Sequence, residues 1–481
     1  MSKEIGITVA KKDDISEWYT QVVTKSGLAD YASVKGFMVL MPYGYSIWEK
    51  IKEFLDARLK AMGHSNAYFP ALIPEGFLKK EAEHFSGFTP EVFWVTHAGN
   101  DKLGERLAIR PTSETVIYDS YSRWVRSWRD LPLLINVWNS VLRAEIKATK
   151  PFMRTSEFLW QEGHTVHADK EDTDHEVMRI LELYRELIEQ RLAIPVLVGL
   201  KTEREKFVGA LYTTTLEAMM PDGKALQMGT SHNLGQNFSK AFEIKFLGKD
   251  EQMHHAWNSS WGVSWRVIGA MIMLHGDDRG LVIPPNIAPI QAVVVPIPYK
   301  NAETTAIADR AKDITEKLKQ AGISAFLDDR VQYTPGWKFN EWELKGVPLR
   351  LEIGPRDLSR GQVTMVRRDT MERSVTRLDE VAAESSRLLH LIQSSLLEKA
   401  SKSLRDTVHD ARTYEELTRA IEAEGGFVRA CWCSDTACED RIKDETGATI
   451  RVVPQTDEKV FANCIKCGKP ANKVVYFARA Y

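Results

Sequence analysis

No cysteine precedes Cys431, and the total of five is odd. Such usage does not build a secreted disulfide framework, and it predicts a reducing, cytoplasmic location. The opening stretch MSKEIGITVAKKDD is charged and carries no apolar core, so it does not read as a secretory signal. No apolar run reaches the roughly eighteen residues that a membrane span needs. An excess of one charge is also missing: 64 basic residues face 66 acidic ones, for a formal net charge of −2. Any surface for a polyanion must therefore be a local patch. Glycine-rich phosphate loops are absent in both the GxxxxGK[ST] and the GxGxxG form. Phosphates, if bound, are then held by side-chain arginines and not by a helix-terminal cradle.

The most informative stretch that is present is LRAEIKATKPFMRTSEFLWQEGHT, residues 142–165. Arg143 and Glu145 stand two apart, which on a strand points both to one face. A polar loop follows, and Arg154 then precedes the aromatic Phe158 by four residues. Arginine forks match phosphate oxygens, a carboxylate accepts from an exocyclic amine, and an aromatic face stacks a base. These parts suit a nucleotide triphosphate bent over a hairpin; the bland alternative is a solvated hairpin with ordinary surface charges.

At 481 residues the chain exceeds one core and predicts two to four domains. Helical spacing of apolar residues runs from Ile15 to Val23 and from Ile47 to Leu59, the second run stopping at Gly63. Residues 67–74 (AYFPALIP) read as a proline-interrupted edge or interface strand. Short strands are expected at 107–110, 137–143, 158–163 and 226–229. Few strand–helix–strand units separate them, which points to a largely antiparallel sheet. Thr173 and Glu176 have capping-box spacing at the start of an amphipathic helix to Gln190, and 267–274 reads as a buried helix. After Pro289, strands at 291–296, 323–327 and 349–353 alternate with helices at 302–321 and 338–345, the pattern of a small α/β domain. A helical run at 379–397 leads out of it. Thr413 and Glu416 then cap a helix that ends before Gly425-Gly426, and a cysteine-rich tail follows.

In that tail Cys433-x4-Cys438 and Cys464-x2-Cys467 supply four thiolates that suit a closed, structural tetrahedral zinc site. Cys431 is the odd one, most simply a small buried thiol. In Arg110-Pro-Thr-Ser-Glu114, Thr112 and Glu114 offer oxygens to a cationic nitrogen. Local chemistry alone instead favours Thr112 or Ser113 as an N-cap with Glu114 in the first helical turn. Gln227-Met-Gly-Thr230-Ser-His232 puts polar side chains at a strand end, although a lone histidine is more often structural. Ser264-Trp-Arg266 leads a cation into an apolar helix, so an anionic partner is required.

Taken together, these segments resemble a class II aminoacyl-tRNA synthetase. The helix ending at Gly63, the Arg143–Phe158 hairpin and the Arg266 helix stand as its three motifs. Within that class the chain resembles the archaeal and eukaryotic type of prolyl-tRNA synthetase, through Arg110–Glu114, Phe158–Thr165, Gln227–His232, His275-Gly-Asp-Asp-Arg-Gly280, residues 346–357 (GVPLRLEIGPRD), the zinc-type tail and the terminal Tyr481. Threonyl enzymes build an active-site zinc with cysteine, which no residue before Cys431 supplies here. Gly163 and Gln227 lie 64 positions apart, too close for the editing domain of bacterial prolyl enzymes.

The resemblance implies an α+β protein of three parts: a class II antiparallel-sheet catalytic domain at 1–288, an α/β anticodon-binding domain at 289–400, and a small zinc-binding α/β domain at 401–481. It implies ATP-dependent ligation of L-proline to tRNA(Pro) through prolyl-adenylate, with Mg²⁺ near Gln227 and a homodimer as the assembly. Arg143 would bridge the α-phosphate and the proline carboxylate, Glu145 would read adenine, and Phe158 would stack on it. Arg154 and Arg266 would hold the outer phosphates, and Thr230 would reach the ribose. Thr112 and Glu114 would hold the imino nitrogen, with Trp160, His232 and Ser264 completing the proline pocket. An apolar pocket rejects a ligand one methylene smaller by only about 1–3 kcal/mol, so misactivation of alanine is expected, and of cysteine as well. Lys338, Arg350, Arg356 and Arg368 form a basic set for RNA. Trp265 departs from the small hydroxyl residue of many relatives. The competing readings are a non-catalytic synthetase paralogue, another synthetase of the same subclass, and a bare zinc-containing nucleic-acid module.

Overall fold

The computed structural model describes residues 6–84, 91–144, 149–297, 304–456 and 458–481. Among them, seven strands form the central sheet in the order Ser65–Asn66, Leu133–Leu142, Glu157–His167, Trp257–Ser264, Ala225–Gly235, Tyr212–Met219 and Leu197–Leu200. Every pairing is antiparallel except that of the two-residue edge strand with Leu133–Leu142. Two cross-strand positions need glycine because a side chain lies across them. A Cβ on Gly163 would stand 1.9 Å from the Trp261 ring, and one on Gly262 would stand 3.1 Å from Trp160.

One face of this sheet is sealed by the helices Ile15–Lys25, Pro42–Ala61, Lys170–Arg185 and Arg266–His275, through a core that includes Trp18, Tyr19, Ile47, Ile51, Tyr184 and Met271. Helix Pro42–Ala61 starts with proline at its first position and buries Ile47, Ile51, Leu55 and Leu59 at helical spacing. Gly63 follows at φ +95, as expected of a helix stop. Two local expectations are corrected. Helix Lys170–Arg185 starts at Asp169, whose carboxylate accepts from Asp172 N; Thr173 lies inside the helix and Glu176 is buried against His64 at 2.8 Å. The stretch 67–74 is not one strand: residues 65–66 join the central sheet, while Leu72–Pro74 joins a three-stranded sheet with Asp101–Ile109 and Trp94–Ala98.

The next unit has a five-stranded sheet in the order Ala325–Leu327, Ala292–Pro296, Leu349–Ile353, Gln362–Arg367 and Arg373–Arg377, parallel across its first three strands and antiparallel thereafter. Helix Val381–Asp406 runs from it through residue 400 into the last unit. That tail holds a four-stranded sheet and buries Val428, Trp432, Ile442, Ile450 and Phe477 in a core of its own. The basic set expected on the middle unit is mostly interior. Lys338 donates to Asp328 O, and Arg350 pairs with Glu343 and Glu352. Arg368 grips Asp277, just after helix Arg266–His275, through two bonds of 2.6 and 2.7 Å. Only Arg356 of the four is exposed. Among the described residues no helix is long and apolar enough to cross a membrane.

Candidate active site

Strand alternation brings Phe158, Trp160 and Glu162 to one face of the central sheet. Thr230 and His232 do the same from Ala225–Gly235, and Arg266 arrives at the start of its helix. The result is a cleft of about 250 Å³ lined by Thr112, Glu114, Arg143, Phe158, Trp160, Gln227, Thr230, His232, Ser264 and Arg266. Segments far apart in the chain thus meet in one place. Two expected members do not line it. Arg154 is exposed on the turn that Lys150 and Arg154 close with paired backbone bonds, although its charge is felt by Arg266. Glu145 lies outside the described residues.

At one end of the cleft the polar groups are buried. Ser113 occupies the N-cap position of helix Glu114–Trp124 without capping it. Its hydroxyl donates to Glu162, while Thr112 Oγ1 donates to Glu114. The capping reading of these side chains is therefore corrected: a buried carboxylate nearby is a stronger acceptor than a helix terminus is a donor. Glu162 also accepts from Asn139 at 2.8 Å and meets His164 Nε2 at 3.0 Å. Burial alone would raise the Glu162 carboxyl, but the hydrogen bond and charge of His164, with Ser113 and Asn139, hold it low. Burial alone would lower His164, and the same partner, with Glu114, holds it high. Trp160 Nε1 donates to Asn139 Oδ1 at 2.6 Å, which fixes the indole as a wall.

His232 sits between Thr213 Oγ1 at 2.9 Å and Thr230 Oγ1 at 3.1 Å, with Phe207 4.8 Å away ring to ring. Burial, and then the charge of His164, lower its imidazole to about 3, so it is a neutral wall. At the other end, the Arg143 guanidinium lies 5.2 Å from the Phe158 ring centre and donates to Pro111 O at 3.3 Å. Arg266 donates from Nε to Met153 O at 3.2 Å. Burial, and then Arg143, lower it to about 10, while the charge of Glu217 acts in the opposite sense. Two guanidinium groups lining one cleft suit an anionic ligand. Trp265 is buried against Phe152, its indole N–H among the orphaned buried donors.

Glu162, Glu205, Phe207 and Thr213 also line the cleft and were not expected. Glu162 stands two residues after Trp160, so strand alternation would have found it; Glu205 and Phe207 lie in an irregular segment with no such signal.

In the tail, Cys433, Cys438, Cys464 and Cys467 converge with their sulfurs within 4.8 Å of one another. Cys433 Sγ lies 3.7 Å from Cys467 Sγ and 3.8 Å from Cys438 Sγ. Metal–sulfur bonds of about 2.3 Å in a tetrahedron give sulfur–sulfur edges near 3.8 Å, so the four side chains fit one ion. Cys431 is a separate, fully buried free thiol.

Comparison with known proteins agrees along the whole chain. Residues 93–275 match the class II tRNA synthetase core domain of the glycine, histidine, proline, serine and threonine enzymes. Residues 291–387 match an anticodon-binding domain, and residues 414–481 match the C-terminal domain of prolyl-tRNA synthetases. A proline–tRNA ligase of Cenarchaeum symbiosum is 57% identical over 478 residues, covering 99% of this chain and all of that one. Another from Alkaliphilus oremlandii is 51% identical over 97% of this chain and 96% of its own length. A prolyl-tRNA synthetase of Cryptosporidium parvum, crystallised with halofuginone and AMPPNP, superposes with a TM-score of 0.94 at 41% identity, over 99% of this chain and 100% of that one. The chain belongs to the prolyl-tRNA synthetase family, class II aminoacyl-tRNA synthetases that ligate proline to tRNA.

Proposed function

We propose that ligation proceeds in two steps in the cleft described above. The proline carboxylate attacks the α-phosphorus of ATP, and pyrophosphate leaves. The 3′-terminal hydroxyl of tRNA(Pro) then takes the prolyl group from the adenylate and releases AMP. The observation that carries this reading is the meeting of one buried carboxylate end with one arginine-lined end in a single cleft. An imino acid needs both signs of charge, and a triphosphate needs the second.

In this reading Glu114 and Thr112 hold the ring nitrogen, while Trp160, His232 and Ser264 enclose the ring. Arg143 serves both the carboxylate and the α-phosphate. Phe158 stacks on adenine, Thr230 reaches the ribose, and Arg266 and Arg154 take the outer phosphates. Glu145 keeps its assignment to the adenine amine from sequence alone. Such transfers depend on positioning and charge neutralisation more than on proton transfer. Mg²⁺ beside Gln227 would neutralise the phosphates; the amide oxygen of Gln227 and the carboxylate of Glu205 are hard donors of the right type. AMPPNP in the Cryptosporidium relative supports the nucleotide assignment.

The domain division proposed is 1–288 for catalysis, 289–400 for the anticodon and 401–481 for a structural zinc domain, with Zn²⁺ on the four cysteines. The homodimer rests on class resemblance and on the segment around Pro70, where Tyr68 and Leu72 are 76% and 41% exposed. Pyrophosphate exchange without tRNA tests the whole reading: it should run with proline and not with threonine, histidine, serine or glycine. Exchange driven best by one of those four would defeat it.

A further inference from the structure

The strand Thr449–Val452 of the C-terminal unit carries one side chain deep into the catalytic unit. Arg451 reaches Glu217 with Nη2 at 3.0 Å from Oε1 and 3.1 Å from Oε2, and with Nε at 3.2 Å from Oε2. Lys201 Nζ meets the same carboxylate at 2.6 Å. Glu217 is completely buried, and the Arg451 and Lys201 side chains are 9% and 1% exposed. Arg451 continues to Glu205, 3.4 Å from its Nη1, and Glu205 lines the cleft. Glu217 is also the cross-strand neighbour of Gln227, another cleft residue. The contact is held in place by backbone. Leu200 and Val453 exchange bonds of 2.8 and 2.9 Å, so the tail is stitched to the edge of the catalytic sheet.

Two cations and two carboxylates make this cluster neutral; the exposed Lys443 reaches Glu205 only at 4.0 Å. Without Arg451, the buried Glu217 carboxylate would keep one cation, and the cluster would carry a net negative charge behind the arginine-lined end. Arg266 already feels both Glu217 and Arg451, with opposite signs. An uncompensated carboxylate would repel phosphates and draw on the arginine that should hold them, and in a dry site such a charge acts over several ångströms.

We infer that Arg451 is a positioning residue for ATP: the C-terminal domain supplies it to neutralise Glu217 and so reserve Arg266 for the triphosphate. The inference rests on the reading of the cleft as the ATP site. It gives the zinc domain a specific electrostatic task in the first chemical step, apart from any contact with RNA.

The test is pyrophosphate exchange without tRNA, on full-length protein, with the Michaelis constants for ATP and proline measured separately. Arg451→Met should raise the KM for ATP by about tenfold and leave that for proline nearly unchanged, because the charge lies at the phosphate end. Arg451→Lys keeps the charge and should stay close to wild type. In Glu217→Gln/Arg451→Met both charges are gone, Lys201 and Glu205 balance, and the KM for ATP should return to within about threefold of wild type. A purely structural defect would move the two Michaelis constants together, whereas the charge acts on ATP alone. An unchanged KM for ATP in Arg451→Met, a matching rise for proline, or a double variant no better than the single one would each overturn the inference. If Arg451→Met fails to fold, the double variant is compared with Arg451→Lys, and a KM for ATP several-fold worse in the double variant has the same force. Absence of proline-dependent exchange in the wild type would instead defeat the reading of the site itself.

Discussion

His164 Nε2 and Glu162 Oε2 meet at 3.0 Å with both side chains about 1% exposed, at the carboxylate end of the cleft. The pair makes a signed prediction about pH. His164 is held above its ordinary 6.5, so its contribution is complete below that value and is lost as pH rises through the raised one. Glu162 is held below its ordinary 4.5, so its contribution is complete above that value and is lost only in stronger acid. Glu162→Gln should therefore destabilise the catalytic domain by about 3 kcal/mol near pH 6. Thermal melts of the two proteins from pH 6 to 9 should show the gap narrowing. A gap that widens toward alkaline pH would mean the pair is not ionised as described.

Glu114 concerns affinity more than folding. Removing one partner of a buried charge pair costs roughly 2–5 kcal/mol, so Glu114→Gln should raise the proline KM by at least ~30-fold. The KM for ATP should hardly move, since the arginine-lined end is untouched. Equal shifts in both constants would place Glu114 outside the imino-acid pocket.

The extent to which this site could be read in advance differs by residue. Arg143, Phe158 and Arg266 were legible from local pattern and Trp160, Thr230 and His232 only through the family resemblance, and each does face the cleft. Thr112 and Ser113 were ambiguous: their local chemistry suits a helix cap, and only the arrival of Glu162 from 49 residues away diverts Ser113. Residues 67–74 were misread because nothing local tells an edge strand from a crossing between two sheets. Arg350 and Arg368 were read as part of a basic set for RNA, yet their partners, Glu343 and Asp277, come from a helix and from a segment 91 residues away. Arg451 was invisible, since its partner Glu217 is 234 residues away. Burial patterns are written in the sequence; long-range charge pairing is not.

The cysteine cluster predicts its own content. Purified protein should hold one zinc per chain by elemental analysis, and Cys464→Ser should lose it and lower the melting temperature. Because Arg451 sits in the same small domain, metal loss should also raise the KM for ATP. Full metal retention in Cys464→Ser would remove that residue from the ligand set.

Trp160, His232 and Phe207 line the cleft, and in the proposed reading they wall the imino-acid ring without any group that recognises one specifically. Alanine fits inside and forgoes only apolar contact, at about 1–3 kcal/mol per methylene. Alanine-dependent pyrophosphate exchange should be measurable at high concentration, with cysteine in the same range. A rate indistinguishable from background for both would mean that the walls close more tightly around the ring than their side chains indicate.

In the proposed mechanism Arg143 serves both the proline carboxylate and the α-phosphate, and everything said of that mechanism depends on its position. The most direct measurement is proline-dependent pyrophosphate exchange, without tRNA, in wild type and Arg143→Ala, with melting curves recorded on the same samples. The wild type should exchange, and the variant should lose roughly 10²–10³-fold in rate at an unchanged melting temperature. Exchange in Arg143→Ala at the wild-type rate would contradict the account.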